Sequence, residues 1–258
     1  MPAPTVHFSN LVSNYQTLVA TYLPNVSAGS IPTPQEQELA RAFIVLSHAE
    51  IEFYFESLCE EIISHAESEF KAGRVAKSAL GIIAFSSTPV QNGGQLLISG
   101  SKQFARKLSE RFYASAQAHR KVYEGNNGIR QKYLAPMFVP LGLTDESIDP
   151  TWIVLIDVFA EKRGAIAHKS MAHVEAQSKN INPGDVSKEV KRIIFDDPKL
   201  KTPGVISAIE SFDEWASNHI AGVGSLNSRV KSRHSSLLQR LLWSAVNLVD
   251  RYEIRKRT

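Results

Sequence analysis

Apolar side chains recur at spacings of three and four residues along nearly the whole chain, and this periodicity constrains the fold more than any other feature. That spacing lines one face of an α-helix, whereas a half-buried strand alternates apolar and polar residues. Clear alternation is absent from the sequence. We therefore predict an all-α fold, a helical bundle with additional helices and few or no strands.

Proline, glycine and polar clusters interrupt the pattern and predict where the helices begin and end. Thr33-Pro34 is a typical helix start, Gly73 a typical end, and Asp149-Pro150 precedes the most apolar helix. The predicted helices span 5–23, about 34–71, 102–123, 129–141, a segment from 150 through 168, 203–220 and 225–255. Residues 81–102 read as loop around short apolar pieces, and 186–195 fit either a short helix or an edge strand.

The long helix over 34–71 is apolar around most of its circumference and carries one polar stripe. At 100° per residue, the stripe falls within one sector of roughly 120°. Its members are Arg41, His48, Glu52, Glu56 and Glu60. Glu50 lies instead amid the apolar face, so it needs a polar partner if it is buried. The helix is therefore expected to be central to the fold.

Composition limits the classes of protein to which the chain can belong. With 258 residues, 43% hydrophobic, it is long enough for a real core. Cys59 is the single cysteine, so an internal disulfide and a cysteine-based metal site are both excluded. The first ten residues lack a signal-peptide pattern, and no apolar run approaches the ~20 residues of a membrane span. We expect a cytoplasmic protein with no membrane partner.

The net charge of +3 is small but unevenly distributed. Acidic residues crowd 36–69, and basic residues crowd 226–258. Such asymmetry is typical of a protein with a polyanionic partner or of a self-complementary oligomer. Two solvated helix faces explain it equally well, so the charge pattern by itself leaves the partner open.

The sequence RGAIAH places Arg163 and His168 at the end of the apolar segment 152–160. An arginine and a histidine held together can cleave a phosphodiester without a metal, because the histidine moves protons while the arginine stabilises charge on a phosphoryl oxygen. Chance alone gives about one such spacing in a chain of this kind. Two other pairs exist, Arg41 with His48 and Arg229 with His234. The apolar segment before Arg163 and His168 indicates that this pair lies at the edge of a core, which favours it as the functional pair.

Residues five apart on an ideal helix lie ~140° apart, so a single straight helix does not bring Arg163 and His168 together. Either the turn distorts at Gly164, a poor helix former, or two copies of the helix meet across a two-fold axis. The alternative is a structural pair, with Arg163 bound to Glu161 or Asp157. His173 lies five residues after His168, with Glu175 nearby, whereas metal ligands on a helix prefer a spacing of four, so no metal and no cofactor are predicted.

Three segments together resemble HEPN domains (higher eukaryotes and prokaryotes nucleotide-binding), bacterial types RiboL-PSP and MAE_28990. Residues 155–169 resemble the motif helix with its R-x(4–6)-H signature, 41–58 the first core helix, and 126–142 the connector between them. The resemblance covers about 38–175. It implies three regions: an N-terminal helix and loop (1–34), a HEPN-like helical core (35–176), and C-terminal helices packed on that core (177–258). The chain departs from the pattern at Gly164, where a polar residue is common.

Catalytic HEPN domains are metal-independent endoribonucleases that act as dimers with facing Arg/His pairs. The resemblance therefore implies that His168 is the general acid or base, that Arg163 stabilises the transition state, and that Glu52 orients one of them. Arg41, His48, Lys162, Lys169 and the basic-aromatic stretch 106–123 are weaker candidates for RNA contacts, beside core or solvated-surface roles.

The implied function is RNA cleavage through the 2′-hydroxyl by a homodimer. By analogy it is a toxin or antiphage effector, with an antitoxin or nucleotidyltransferase as a candidate partner. One alternative is a non-catalytic HEPN module that binds RNA, nucleotide or a partner protein. Another is a helical dimerisation module whose Arg/His pair is structural.

Overall fold

The computed structural model describes residues 4–23, 31–86, 101–168 and 181–221, with backbone only for 101–106 and 168. Eight α-helices lie in these ranges. They are α1 (Val6–Tyr22), α2 (Pro34–Lys71), α3 (Lys77–Phe85), α4 (Ser101–Glu124), α5 (Gln131–Phe138), α6 (Pro150–His168), α7 (Pro183–Ile194) and α8 (Ile209–Ala221). A 3₁₀ turn spans Asp145–Ser147, and Ile148 forms an isolated parallel bridge with Ile206. The described part holds no β-strand, which confirms the all-α prediction.

Local signals explain the ends of α2, which match the predicted range. Thr33 donates through its backbone N to Glu36 Oε2 at 2.7 Å, and Glu36 N donates back to Thr33 Oγ1 at 3.3 Å. This reciprocal capping box satisfies two backbone donors that the first helical turn leaves unpaired. At the other end Gly73 adopts φ 75°, the left-handed conformation that glycine takes after a helix.

Two predictions of elements need correction. The loop expected from residue 81 is wrong at its start, because Lys77–Phe85 forms α3 with Ala79 and Ile82 buried on one face. The helix expected from residue 203 begins only at Ile209. Gly204 there has φ 79°, and Ile206 pairs with Ile148 instead of entering the helix. The open choice for 186–195 is settled as helix α7. The helix predicted over 225–255 lies outside the described residues.

The chain forms two compact units, and each consists of three segments. The first unit contains residues 1–59, 126–136 and 144–218; the second contains 60–125, 137–143 and 219–258. Helix α2 contributes to both, because the division falls between Cys59 and Glu60. The three regions predicted from sequence, with boundaries at 34 and 176, stay a prediction.

In the first unit, aromatic packing and one buried carboxylate tie the helices together. Phe55 of α2 packs edge-on against Phe212 of α8 with ring centroids 5.3 Å apart. Asp213 accepts hydrogen bonds from Tyr54 Oη at 3.0 Å and from the backbone N of Thr5 at 2.8 Å. Glu50 obtains the partner that its position requires, since Asn14 Nδ2 donates to it at 2.7 Å.

In the second unit, a charged clamp joins α2 and α4. Arg120 donates to Glu60 at 2.9 Å and to Glu67 at 2.7 Å, and Tyr123 Oη donates to Glu60 at 2.6 Å. Burial raises the pKa of Glu60, but the hydrogen bonds from Arg120, Ser64 and Tyr123 outweigh it and lower the pKa to about 2. Glu60 is therefore ionised at neutral pH. None of the described helices is both long and apolar enough to cross a membrane.

Candidate functional site

Helix α6 brings Arg163 to the site, and its sequence explains its placement. Asp149 Oδ1 accepts from the backbone N of Thr151 at 2.8 Å, and Pro150 occupies the first turn, where its missing N–H costs nothing. Trp152, Ile156 and Phe159 are buried at helical spacing. Arg163 follows Phe159 by one turn and so continues the inward face of α6 towards α2.

His48 of α2 lies beneath this face, and only 2% of the residue is exposed. Its ring stacks on Phe159 with centroids 6.2 Å apart and planes at 29°. A methyl group at Gly128 would lie 3.8 Å from His48 Nε2, so the connector also covers the imidazole. Burial, and secondly the charge of Arg163, lowers the pKa of His48 to about 4. The imidazole is therefore neutral at neutral pH.

Glu52 lies one helical turn after His48 on α2. The His48 Nδ1 to Glu52 Oε2 distance is 3.6 Å, beyond a normal hydrogen bond. Burial and the neighbouring charge of Glu56 raise the pKa of Glu52, whereas the charge of Arg163 opposes the shift. Glu52 and Arg163 thus interact electrostatically from two different helices. The role implied for Glu52, orienting the Arg/His pair, stays a prediction.

Arg163 is half-buried, and its Nε is buried without a hydrogen-bond partner among the described residues. The two carboxylates that would make it a structural residue are engaged elsewhere. Glu161 faces Arg130 at 3.7 Å, and Asp157 accepts from the backbone N of Gln131 at 2.9 Å. The Arg163 Nε–H therefore remains an unsatisfied donor within the described part of the chain.

The sequence did not indicate Asn126 or Glu56 as site residues, but the structure brings both close to Glu52. Asn126, from the connector between α4 and α5, donates through Nδ2 to Glu56 Oε1 at 3.0 Å, and Glu52 Oε1 lies 3.5 Å from the same nitrogen. The position of Glu56 four residues after Glu52 on the polar stripe was the available signal, since residues at that spacing are neighbours on a helix. His48, Glu52, Glu56, Asn126 and Arg163, all of the first unit, are called the Glu52 cluster below.

The other predicted site residues lie as follows. Arg41 is 6% exposed and pairs with Glu38, and Lys162 pairs with Glu189 of α7. Burial of Arg41 and His48 favours structural or positioning roles over RNA contact. His168 is the last residue of α6, but its side chain lies outside the described residues, as does Lys169. Within the described ranges, no three His, Cys, Asp or Glu side chains are grouped so as to hold a metal ion.

The basic-aromatic stretch 106–123 forms most of α4. Phe112 is fully buried and stacks on Phe70 with centroids 4.6 Å apart. Arg120 is committed to the clamp with Glu60 and Glu67. These members of the stretch therefore stabilise the second unit, and RNA contact by the remaining basic residues stays a prediction.

Comparison with known proteins places the chain in a family. The family profile described as RiboL-PSP-HEPN matches residues 10–218, which is most of the chain and includes the Glu52 cluster and the Arg163/His168 motif. No curated protein matches the chain, and no solved structure matches it either. The match extends on both sides beyond the three segments that carry the resemblance in the sequence. The chain therefore belongs to the RiboL-PSP-HEPN family.

Proposed function

We propose that this protein is a metal-independent endoribonuclease that cleaves RNA through its 2′-hydroxyl. The observation that carries the proposal is the Arg163 guanidinium, whose charge acts on the Glu52 carboxyl and whose buried Nε has no described partner. Membership of a HEPN family adds weight, because HEPN domains are frequently ribonucleases. By analogy alone, we assign the activity to a cytoplasmic toxin or antiphage effector.

In the proposed reaction, His168 accepts the proton of the ribose 2′-hydroxyl, and the 2′-oxygen attacks the adjacent phosphorus. The bond from phosphorus to the 5′-oxygen breaks, and the leaving oxygen takes a proton from a histidine acting as general acid. Arg163 donates hydrogen bonds to the negative phosphoryl oxygens of the transition state. The products are a 2′,3′-cyclic phosphate and a 5′-hydroxyl, so DNA, which lacks the nucleophile, is not cut.

The helical geometry supports a composite site formed by two copies of the chain. Helix α6 continues through Gly164 to His168, so the turn is not broken there. Positions 163 and 168 of one helix therefore point ~140° apart. A second copy can supply the histidine or arginine that the first copy directs elsewhere. Val154 and Val158 of α6 are 60% and 48% exposed and offer an apolar contact for that copy.

The test is incubation of purified protein with total RNA and a tRNA pool in EDTA, followed by end-group analysis of the fragments. We expect cleavage to 2′,3′-cyclic phosphate ends, and a loss of rate of roughly 10²- to 10⁴-fold in His168→Ala and in Arg163→Ala. The matched controls are His7→Ala on α1 and Arg192→Ala on α7, which should cleave like the wild type. Intact RNA with the wild type, or unchanged cleavage by His168→Ala, would contradict the proposal.

A non-catalytic HEPN module that binds RNA, nucleotide or a partner protein is the second candidate. The observation that favours it is Gly164, which stands where a polar residue is common and contributes no side chain to the site. In that case the wild type retains RNA or nucleotide in a filter-binding assay without cutting it, and Arg163→Ala weakens retention at unchanged thermal stability. A drop in stability alone would identify the Arg/His pair as structural. Neighbouring genes for a small antitoxin or a nucleotidyltransferase would support the effector role.

A further inference from the structure

Asn126 joins the Glu52 cluster from outside the two helices that carry the other members. It follows α4 in the connector and reaches α2 with its amide nitrogen, 3.0 Å from Glu56 Oε1 and 3.5 Å from Glu52 Oε1. Ionised carboxylates only accept hydrogen bonds, so the amide must turn its NH₂ group towards them. Its Oδ1 then faces away and is buried without a hydrogen-bond partner in the described ranges. The carboxylates thus fix the orientation of the Asn126 side chain at the cost of an unsatisfied oxygen.

The two carboxylates need such a bridge because they lie four residues apart on one helix face. Like charges at that spacing repel each other. Among the described residues, the charged or titratable groups that act on Glu52 are Glu56 and the neutral His48 from α2, and Arg163 from α6. Of these, only Arg163 draws the Glu52 carboxylate towards α6, whereas Glu56 opposes its charge. An amide that donates to both carboxylates reduces their repulsion without placing a second positive charge beside Arg163.

We propose that Asn126 is a positioning residue of the ribonuclease site, whose amide bridges Glu56 and Glu52 and holds the Glu52 carboxylate towards the Arg163 guanidinium. This rests on the proposed function. Asn126 does not contact RNA; it acts through Glu52. Loss of the bridge lets the carboxylate turn away or take up a proton. Either change releases the guanidinium from the direction in which it meets the scissile phosphate.

The experiment compares wild type, Asn126→Ala and Asn126→Asp in the RNA cleavage assay across pH 4.5–8.5. The aspartate variant keeps the shape of the side chain but replaces the donor with a third carboxylate. Outer-shell changes of this kind cost roughly 10- to 100-fold in activity, and we expect that loss in kcat with KM within about twofold. The acidic limb of the kcat profile should move to higher pH in Asn126→Ala. Asn10→Ala, which changes an exposed asparagine of α1, is the control and should match the wild type.

A double-mutant cycle with Glu52→Gln separates positioning from folding. A neutral amide at position 52 removes the charge that Asn126 bridges, so Asn126→Ala should cost little more in that background. Additive losses, or an unchanged pH profile with lowered thermal stability, would assign Asn126 a structural role and overturn the proposal.

A second measurement keeps this inference separate from the proposed function. The Glu52 carboxyl resonance, assigned by its absence from Glu52→Gln, is titrated by ¹³C NMR in the wild type and in Asn126→Ala. A higher apparent pKa in Asn126→Ala supports the bridge even if the wild type leaves RNA intact, which would refute only the ribonuclease. An unchanged titration with intact ribonuclease activity in Asn126→Ala would refute only the bridge.

Discussion

The side chain of His48 is a buried imidazole, and protonating it in the folded protein is energetically unfavourable. It packs on the ring of Phe159 and lies near the positive charge of Arg163, and both surroundings disfavour the imidazolium. Glu52, at 3.6 Å, is too far for a hydrogen bond that would compensate. A neutral ring at this position leaves Glu52 free to interact with Arg163 rather than with a cation on its own helix.

This environment predicts a specific dependence of stability on pH. The pKa of His48 is about 4 in the folded state against 6.5 for an unperturbed histidine, so the unfolded chain binds more protons between these values. The free energy of unfolding should therefore fall as pH drops from about 6.5 to about 4, by up to about 3 kcal/mol from this residue. Urea unfolding at a series of pH values measures the slope.

The comparison is His48→Phe against the wild type. Phenylalanine can stack on Phe159 but does not titrate, so the slope between pH 6.5 and 4 should become shallower. The pKa values of His119 and His219 are also lowered by burial, so part of the slope should persist. A His48→Phe protein with an undiminished slope would show that the dependence comes from other groups.

At the scale of elements, Gly164 is the unusual residue of α6. A Cβ added there meets no atom within 4 Å among its described surroundings, so a larger side chain has space. Glycine in a helix interior is less favourable than alanine by roughly 0.8–1 kcal/mol. We expect Gly164→Ala to raise the free energy of unfolding by up to that amount, as measured by thermal and urea unfolding.

Gly164→Asn extends this comparison to activity. Asparagine restores a polar side chain next to Arg163, and we expect it to raise the rate of RNA cleavage above that of Gly164→Ala. The alanine variant controls for helix stability. Equal rates for the two variants would show that the residue after Arg163 has no part in orienting the site.

Prediction from sequence succeeded for elements whose ends carry local chemistry. Thr33, Pro34 and Gly73 mark both ends of α2, and each acts through its own backbone or a residue within the next turn. The predicted start of α8 was wrong because Ile206 pairs with Ile148, which is distant in sequence, and the helix begins only after that pairing. The same distinction between local and distant signals applies to the residues of the site. Sequence indicated Arg163 and Glu52, whereas Asn126 contacts Glu52 from 74 positions further along the chain, and periodicity carries no information about such a distant contact.

At the scale of the whole molecule, the proposed composite site requires a dimer through α6. Val154→Glu places a charge on the exposed apolar face of that helix, where a monomer tolerates it but a packed interface does not. We expect the wild type to run as a dimer in light scattering coupled to size exclusion. Val154→Glu should run as a monomer that retains its helical circular dichroism but loses RNA cleavage.

Leu200→Glu is the matched control, because Leu200 is also exposed, at 77%, but lies outside α6. It should remain dimeric and active. A monomeric and fully active wild type would exclude the composite site, and a dimeric Val154→Glu protein would place the interface elsewhere.

Because the boundary between the two compact units falls inside α2, a gene cannot be cut at any single point to yield either unit whole. Truncation at residue 59 would divide a continuous helix and separate each half from partners encoded much later. Fragments from limited proteolysis should therefore stay associated or unfold together. Because each unit is made of three separate segments, homologous genes could exchange one unit only through several coordinated crossovers. The two units are therefore expected to evolve together.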